Sequence, residues 1–178
     1  MKLSDLFNRS NELNANRSFT WPEMTPQDWL MEAISLAGLV AMFCFVIYNY
    51  PKLPVSIPEH FDLQGNPQTF SDRNQVWLLP GISIFLYAML PSILKVKLAR
   101  GSSRFFRRVR TQRQFNGRVR ILRYQKMIMI WGLFYISASL VRYSLHRGNG
   151  LGVWFMPVFI GLMVIPSVAW LLFLKQNP

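Results

Sequence analysis

No acidic residue follows Asp72 in this chain of 178 residues; all eight Asp and Glu side chains lie at or before it. Charge of either sign is scarce, 16% of residues, where an ordinary globular domain carries roughly a quarter. That shortage argues against a water-exposed surface over most of the chain. Cysteine is nearly absent as well. Cys44 stands alone inside an apolar run, so no intrachain disulfide holds the fold and an oxidising compartment is not required. The sequence shows no Gly-rich phosphate loop, Ser-x-x-Lys motif, nucleophile elbow or zinc-protease helix. Each of those spacings places backbone amides, a nucleophile or metal ligands where chemistry needs them. Their absence points to a protein that is not an enzyme and needs no cofactor. A cleavable leader is not expected, because residues 1–28 are polar and the first apolar run is too long for a signal h-region.

What the chain has in abundance is apolar surface: 51% hydrophobic residues, 15% aromatic ones, nine Met and fourteen Phe. Four segments have the roughly 20 mostly apolar residues that a bilayer crossing takes. They are residues 29–50, 76–96, 127–145 and 151–174. Thr25-Pro26-Gln27-Asp28 before the first reads as a helix start, with Thr as N-cap, Pro at the first helical position and an acid at the third. Pro80, Pro91, Pro157 and Pro166 fall inside spans, where membrane helices tolerate them. Trp and Tyr residues near the span ends form the expected interfacial belt. A buried soluble bundle is the competing reading, but residues 151–174 have no polar face to turn to water. The expected fold class is an all-α integral membrane protein: four transmembrane helices with an ordered Pro-rich outer loop. Residues 1–28 then form a cytoplasmic N-terminal segment and 29–178 the membrane domain. In the former, Leu3, Leu6, Phe7 and Leu13 have the spacing of a surface-lying amphipathic helix or belong to a disordered lead-in.

Orientation follows from basic residues. Twelve of the twenty Lys and Arg lie between Lys95 and Lys126, within or beside a loop at 97–126 that joins the second and third spans. Such a block marks the cytoplasmic side. Both termini are then cytoplasmic, residues 51–75 and 146–150 face outward, and the chain belongs in a bacterial inner (cytoplasmic) membrane. The net charge of +12 is largely a property of this loop, which makes nucleic acid an unsuitable partner. Arg104, Arg107, Arg108, Arg110 and Arg113, interleaved with Phe105, Phe106 and Val109, suit anionic lipid or an acidic partner. Each basic residue near such a surface contributes about 1 kcal/mol. Topogenic charge alone accounts for the run equally well.

The outward segment is the least generic part. Pro51, Pro54 and Pro58 block a helix and favour extended backbone, and Gln64-Gly65-Asn66-Pro67 is a tight-turn signal. The order Tyr50-Pro51, Leu53-Pro54, Ile57-Pro58, His60-Phe61, Gly65 and Pro67, with an apolar span about ten residues on, resembles a small bacterial membrane domain of unknown function. That domain also forms the N-terminal part of the immunity proteins against the sporulation-delaying peptide toxin. The motif covers residues 50–80. Gln68 and Asp72-Arg73-Asn74 stand where members often carry Asp and Lys. The resemblance implies a membrane domain with a structural outer loop built on Pro54, Pro58, His60, Phe61, Gly65 and Pro67, and supplies no catalytic residue.

Two further groupings are candidates. Glu59, His60, Asp62 and His146 are suitable metal ligands on one predicted side, although no His-x3-His or Cys pair accompanies them. Arg142, near the outer end of the third span, either snorkels to the headgroups or, like Arg147, pairs with Glu59, Asp62 or Asp72. Ionisable groups inside spans are functional candidates by default. The reading that results is a non-enzymatic membrane protein that binds a partner: a membrane-complex subunit, a peptide toxin or further copies of itself. The alternative is an oligomeric transport or permeation component. Few polar residues are available to line a pathway, among them Glu32, Ser35, Ser83 and Ser137.

Overall fold

The structure, a computed structural model, describes residues 22–62, 67–99, 112–148 and 150–176. Its first helix, α1 (Pro26–Asn49), begins as the sequence predicts. Thr25 caps it, Pro26 opens it, and Thr25 and Asp28 exchange the reciprocal bonds of a capping box. A 3-10 turn (Tyr50–Lys52) then leads to two antiparallel strands, β1 (Ser56–Phe61) and β2 (Pro67–Asp72). A second 3-10 turn (Arg73–Trp77) opens α2 (Leu78–Ala99), and α3 (Gln112–Ser144) and α4 (Phe155–Gln176) follow. Helix α3 is the hub: α1, α2 and α4 all pack on it, α1 most extensively.

The chain is mostly helical. The helices Pro26–Lys52 and Gln112–Ser144 are long and apolar enough to cross a membrane; Phe155–Ala169 is a shorter apolar run. Helix α2 has 22 residues, and the side chains at 90 and 93–99 lie outside the described residues. So do the N-terminal residues Leu3 to Leu13.

Two expectations are corrected. The segment expected to face outward is not a Pro-rich loop, and the fold is not all-α: residues 56–61 and 67–72 pair as two antiparallel strands. Proline blocks helix but not a strand with a free edge. Pro58 sits in β1 opposite Phe70, and Pro67 opens β2 opposite Phe61. The register slips between Pro58 and His60 and again before Phe61, which suits strands with missing donors. As an ordered outer segment is expected to do, the hairpin packs against the helices. Ile57, Leu53 and Val76 are buried with Val46 of α1 and Leu140 and Val141 of α3.

The third helix also starts well before residue 127. Gln112–Lys126 is helical and continuous with the apolar part of α3. Arg, Gln and Lys are good helix formers, and Phe115, Val119, Arg123, Lys126 and Ile130 are buried at helical spacing along one stripe. At about 1.5 Å per residue the 33 residues of α3 span about 50 Å. That exceeds a hydrocarbon core of about 30 Å.

Close approach of α1 and α3 depends on Gly38. A Cβ there would meet the Trp131 indole at 3.0 Å, and the same indole donates its N–H to the Ile34 carbonyl at 3.1 Å. Helix α4 is held by aromatic contacts. Tyr135 stacks on Phe155 at 4.8 Å and Phe155 on Phe159 at 5.5 Å. Gly132 admits the Phe159 ring, which a Cβ would strike.

Candidate functional site

The described charged side chains that enter the bundle gather at the N-terminal end of α1. Asp28 and Glu32 lie four residues apart on α1, one turn above the other. Arg120, Arg123 and Lys126 step along α3 at intervals of three, on the facing side. The capping box already gives Asp28 two donors from Thr25: its N–H at 3.0 Å and its hydroxyl at 2.7 Å, both to Oδ2. The other oxygen, Oδ1, accepts from Arg123 Nη1 at 2.9 Å and from Arg120 Nε at 3.3 Å. Arg120 Nη2 also donates to Thr25 Oγ1 at 3.2 Å. One residue thus caps its own helix and ties it to another 92 residues away.

One turn on, Lys126 Nζ is held between both oxygens of Glu32, at 2.8 and 2.6 Å. The Tyr87 ring of α2 lies 4.4 Å from the ammonium, within cation–π range. The Tyr87 hydroxyl donates to Glu32 at 3.4 Å. Three helices therefore meet on a single ion pair. Asp28, Arg123 and Lys126 are nearly inaccessible, with side-chain exposures of 3%, 10% and 5%, whereas Arg120 keeps 45%. Three cations face two carboxylates, leaving one surplus positive charge, and Arg120 carries the exposed guanidinium of the group.

Sequence reasoning placed Asp28 only as a cap, Glu32 only as a polar residue in a span, and Lys126 only in the basic block. The local signal was an acid pair at i, i+4 and a basic triplet at i, i+3, i+6. Neither spacing names its partner when they lie more than ninety residues apart.

The predicted sites fall as follows. Arg104, Arg107, Arg108 and Arg110 lie outside the described residues; Arg113 is exposed on the first turn of α3. Gly65 and the His60, Phe61 and Pro67 side chains also lie outside them. Pro58 is buried and Pro54 exposed. Asp72 accepts from Asn74 N–H at 2.8 Å and so caps the second 3-10 turn. Arg142 is exposed near the end of α3, and Arg147 follows in the turn after it. The described ion pairs between helices lie at the opposite end of α3 from these two arginines. Among the described residues no group of three His, Cys, Asp or Glu side chains is gathered as for a metal. His146 instead ends α3. It adopts φ 54°, its N–H bonds the Tyr143 carbonyl, and the Arg147 N–H reaches back to the Arg142 carbonyl at 2.8 Å. That pair of bonds is a Schellman motif with His in the left-handed position usually taken by Gly.

At the other end, Tyr50 donates to Asn74 Oδ1 at 2.6 Å. The Lys52 ammonium lies 3.5 Å over Tyr48, and the Arg73 guanidinium 5.5 Å over Tyr50. An open groove of about 680 Å³ runs beside the hairpin and the start of α2.

Residues 37–84 match the family described as Domain of unknown function (DUF1648). The matched stretch takes in the C-terminal half of α1, the hairpin strands and the start of α2; the charged cluster lies outside it. An uncharacterized protein of Archaeoglobus fulgidus is 25% identical over 64 residues, which are 36% of this chain and 35% of that relative. The match thus spans about a third of the relative's length. No solved structure matches.

Proposed function

We propose that this chain is a non-enzymatic, four-span protein of a bacterial cytoplasmic membrane whose task is to hold a partner. Spans α1, α2, α3 and α4 cross with both termini and the Gln112 end of α3 in the cytoplasm, and the hairpin outside. The partner is a membrane-complex subunit or, as in immunity-like relatives of the domain, a membrane-active peptide. The observation that carries this reading is the internal satisfaction of the charged cluster. Asp28, Glu32, Arg123 and Lys126 are bound to one another across helices, so they brace a scaffold. Side chains that moved an ion or solute along a path would need to exchange partners with water or cargo. The arginines at 104–113 add attraction to anionic lipid on the cytoplasmic face. An outer pair between Arg142 or Arg147 and one of Glu59, Asp62 and Asp72 belongs to the same reading.

Two measurements test it. Single cysteines at Ser102 and Ser56, with Cys44 replaced, should be respectively protected from and open to an impermeant reagent in intact cells; the reverse inverts the topology. Affinity purification in mild detergent should bring down a stoichiometric membrane protein or peptide. A monodisperse homo-oligomer that conducts a solute in liposomes would replace this reading with transport.

A further inference from the structure

Arg120 holds the surplus positive charge of the α1–α3 cluster on a fixed side chain. A guanidinium presents its N–H donors in a planar fork. Nε and Nη2, its side edge, donate to Asp28 Oδ1 at 3.3 Å and to Thr25 Oγ1 at 3.2 Å. The end edge, between Nη2 and Nη1, has no partner among the described residues. Arg123 is buried and reaches the same Asp28 oxygen at 2.9 Å, so that carboxylate has a counter-charge without Arg120. What remains is a cation with a side chain 45% exposed and two parallel donors on its free edge. Its two bonds already hold it in place, so an anion arriving there orders little more of the side chain.

The surface around that edge is graded. Along α3, Arg113 and Asn116 are exposed and share a face with Arg120. Asn116 Oδ1 accepts from Gln112 at 2.8 Å, which leaves the Asn116 Nδ2 donors for a ligand. Along α1, Trp29 stands one turn after Thr25 and bonds its carbonyl at 3.0 Å. The Trp29 side chain is 63% exposed, and Ala33, Ala37 and Val40 continue an exposed, uncharged surface from it. Helix α1 lies within a stretch long and apolar enough to cross a membrane, and Trp suits the boundary of its hydrocarbon. A soluble anion would use the donors alone; an occupant that uses both parts has an anionic head and an apolar tail. We infer that Arg120 and Asn116 bind the phosphate of an anionic phospholipid, of the phosphatidylglycerol type, with an acyl chain along Trp29 and Ala33. The two free oxygens of a phosphodiester match the end edge of the guanidinium, the bidentate geometry in which Arg exceeds Lys. The inference deepens the membrane reading. It rests on α1 as a span, and not on the partner held or on which side the basic loop faces.

The test is lipid retention by the purified full-length chain, measured by native mass spectrometry after exchange into phosphatidylglycerol or phosphatidylcholine. Phosphatidylglycerol should be retained over phosphatidylcholine. Arg120→Gln should lower retention of phosphatidylglycerol about tenfold, the worth of one charge-assisted hydrogen bond. Arg142→Gln removes the same charge at the opposite end of α3 and should change nothing. Asn116→Asp sets a carboxylate among the donors, leaves the Asp28 contacts intact and still accepts from Gln112. It should lower retention too, and decides the question should Arg120→Gln fail to fold. Excess inorganic phosphate should not displace the lipid, because it gains nothing from the α1 surface. Equal losses in Arg120→Gln and Arg142→Gln, indifference to both Arg120→Gln and Asn116→Asp, or displacement by inorganic phosphate would overturn the inference. An inverted topology, or loss of the co-purifying partner, would fail the proposed function and leave it standing.

Discussion

The α1–α3 pair is closed differently at its two ends. At the Pro26 end, ion pairs lock the helices: Asp28 to Arg120 and Arg123, Glu32 to Lys126. At the Asn49 end, an apolar cap of Val46, Leu140 and Val141 is closed over by Leu53, Ile57 and Val76 from the hairpin segment. The ion pairs are directional and specify which turn of α3 faces which turn of α1. The apolar cap is indifferent to small rotations but seals the bundle with side chains from before, within and after the hairpin. Register and closure are thus supplied by different chemistry at opposite ends.

The strongest way to break that contrast is to leave one buried charge alone. Lys126→Met strands Glu32 beside Tyr87 and should cost about 3 kcal/mol of stability, the scale for breaking a buried pair. The double variant with Glu32→Gln should regain most of that loss, since desolvation offsets much of a buried pair's Coulomb gain. Thermal unfolding in detergent reads both, and a double variant no better than Lys126→Met would show that the pair does not act as a unit. At the other end, Ile57→Ala removes a fully buried side chain from the cap. It should cost about 2–4 kcal/mol with no partner substitution able to rescue it. Proteolysis within the hairpin should accelerate in this variant and stay unchanged in the first. The smallest effect is expected just beyond the cap. His146→Gly relieves a left-handed conformation that glycine adopts freely and should add about 0.5–1 kcal/mol. A loss instead would mean that the imidazole has a contact worth more than the relieved backbone.

How much of this could be read beforehand varies along the chain. The start of α1 was legible to the residue, because Thr25, Pro26 and Asp28 act on amide groups within one turn of themselves. Of the four expected spans, the first and third were legible as apolar lengths that the structure gives as helices long enough to cross a membrane. The hairpin was not: three prolines rule out helix but do not distinguish an extended loop from an edge strand, and the choice rests on Ile57 finding a pocket formed by α1 and α3. The start of α3 was missed because a basic run is read first as topology. Phe115 and Val119 show their helical phase only once a partner surface exists to bury them.

Local and compositional properties were thus set by the order of residues alone: helix caps, apolar lengths, and a basic block after an acid-rich first half. These act over a turn of helix or over a whole segment, and need no knowledge of what lies opposite. Which acid meets which base was settled by folding. A charge entering a low-dielectric bundle must find a counter-charge within a few ångströms. For Asp28 and Glu32 the available ones are those that helix packing brings from more than ninety residues away.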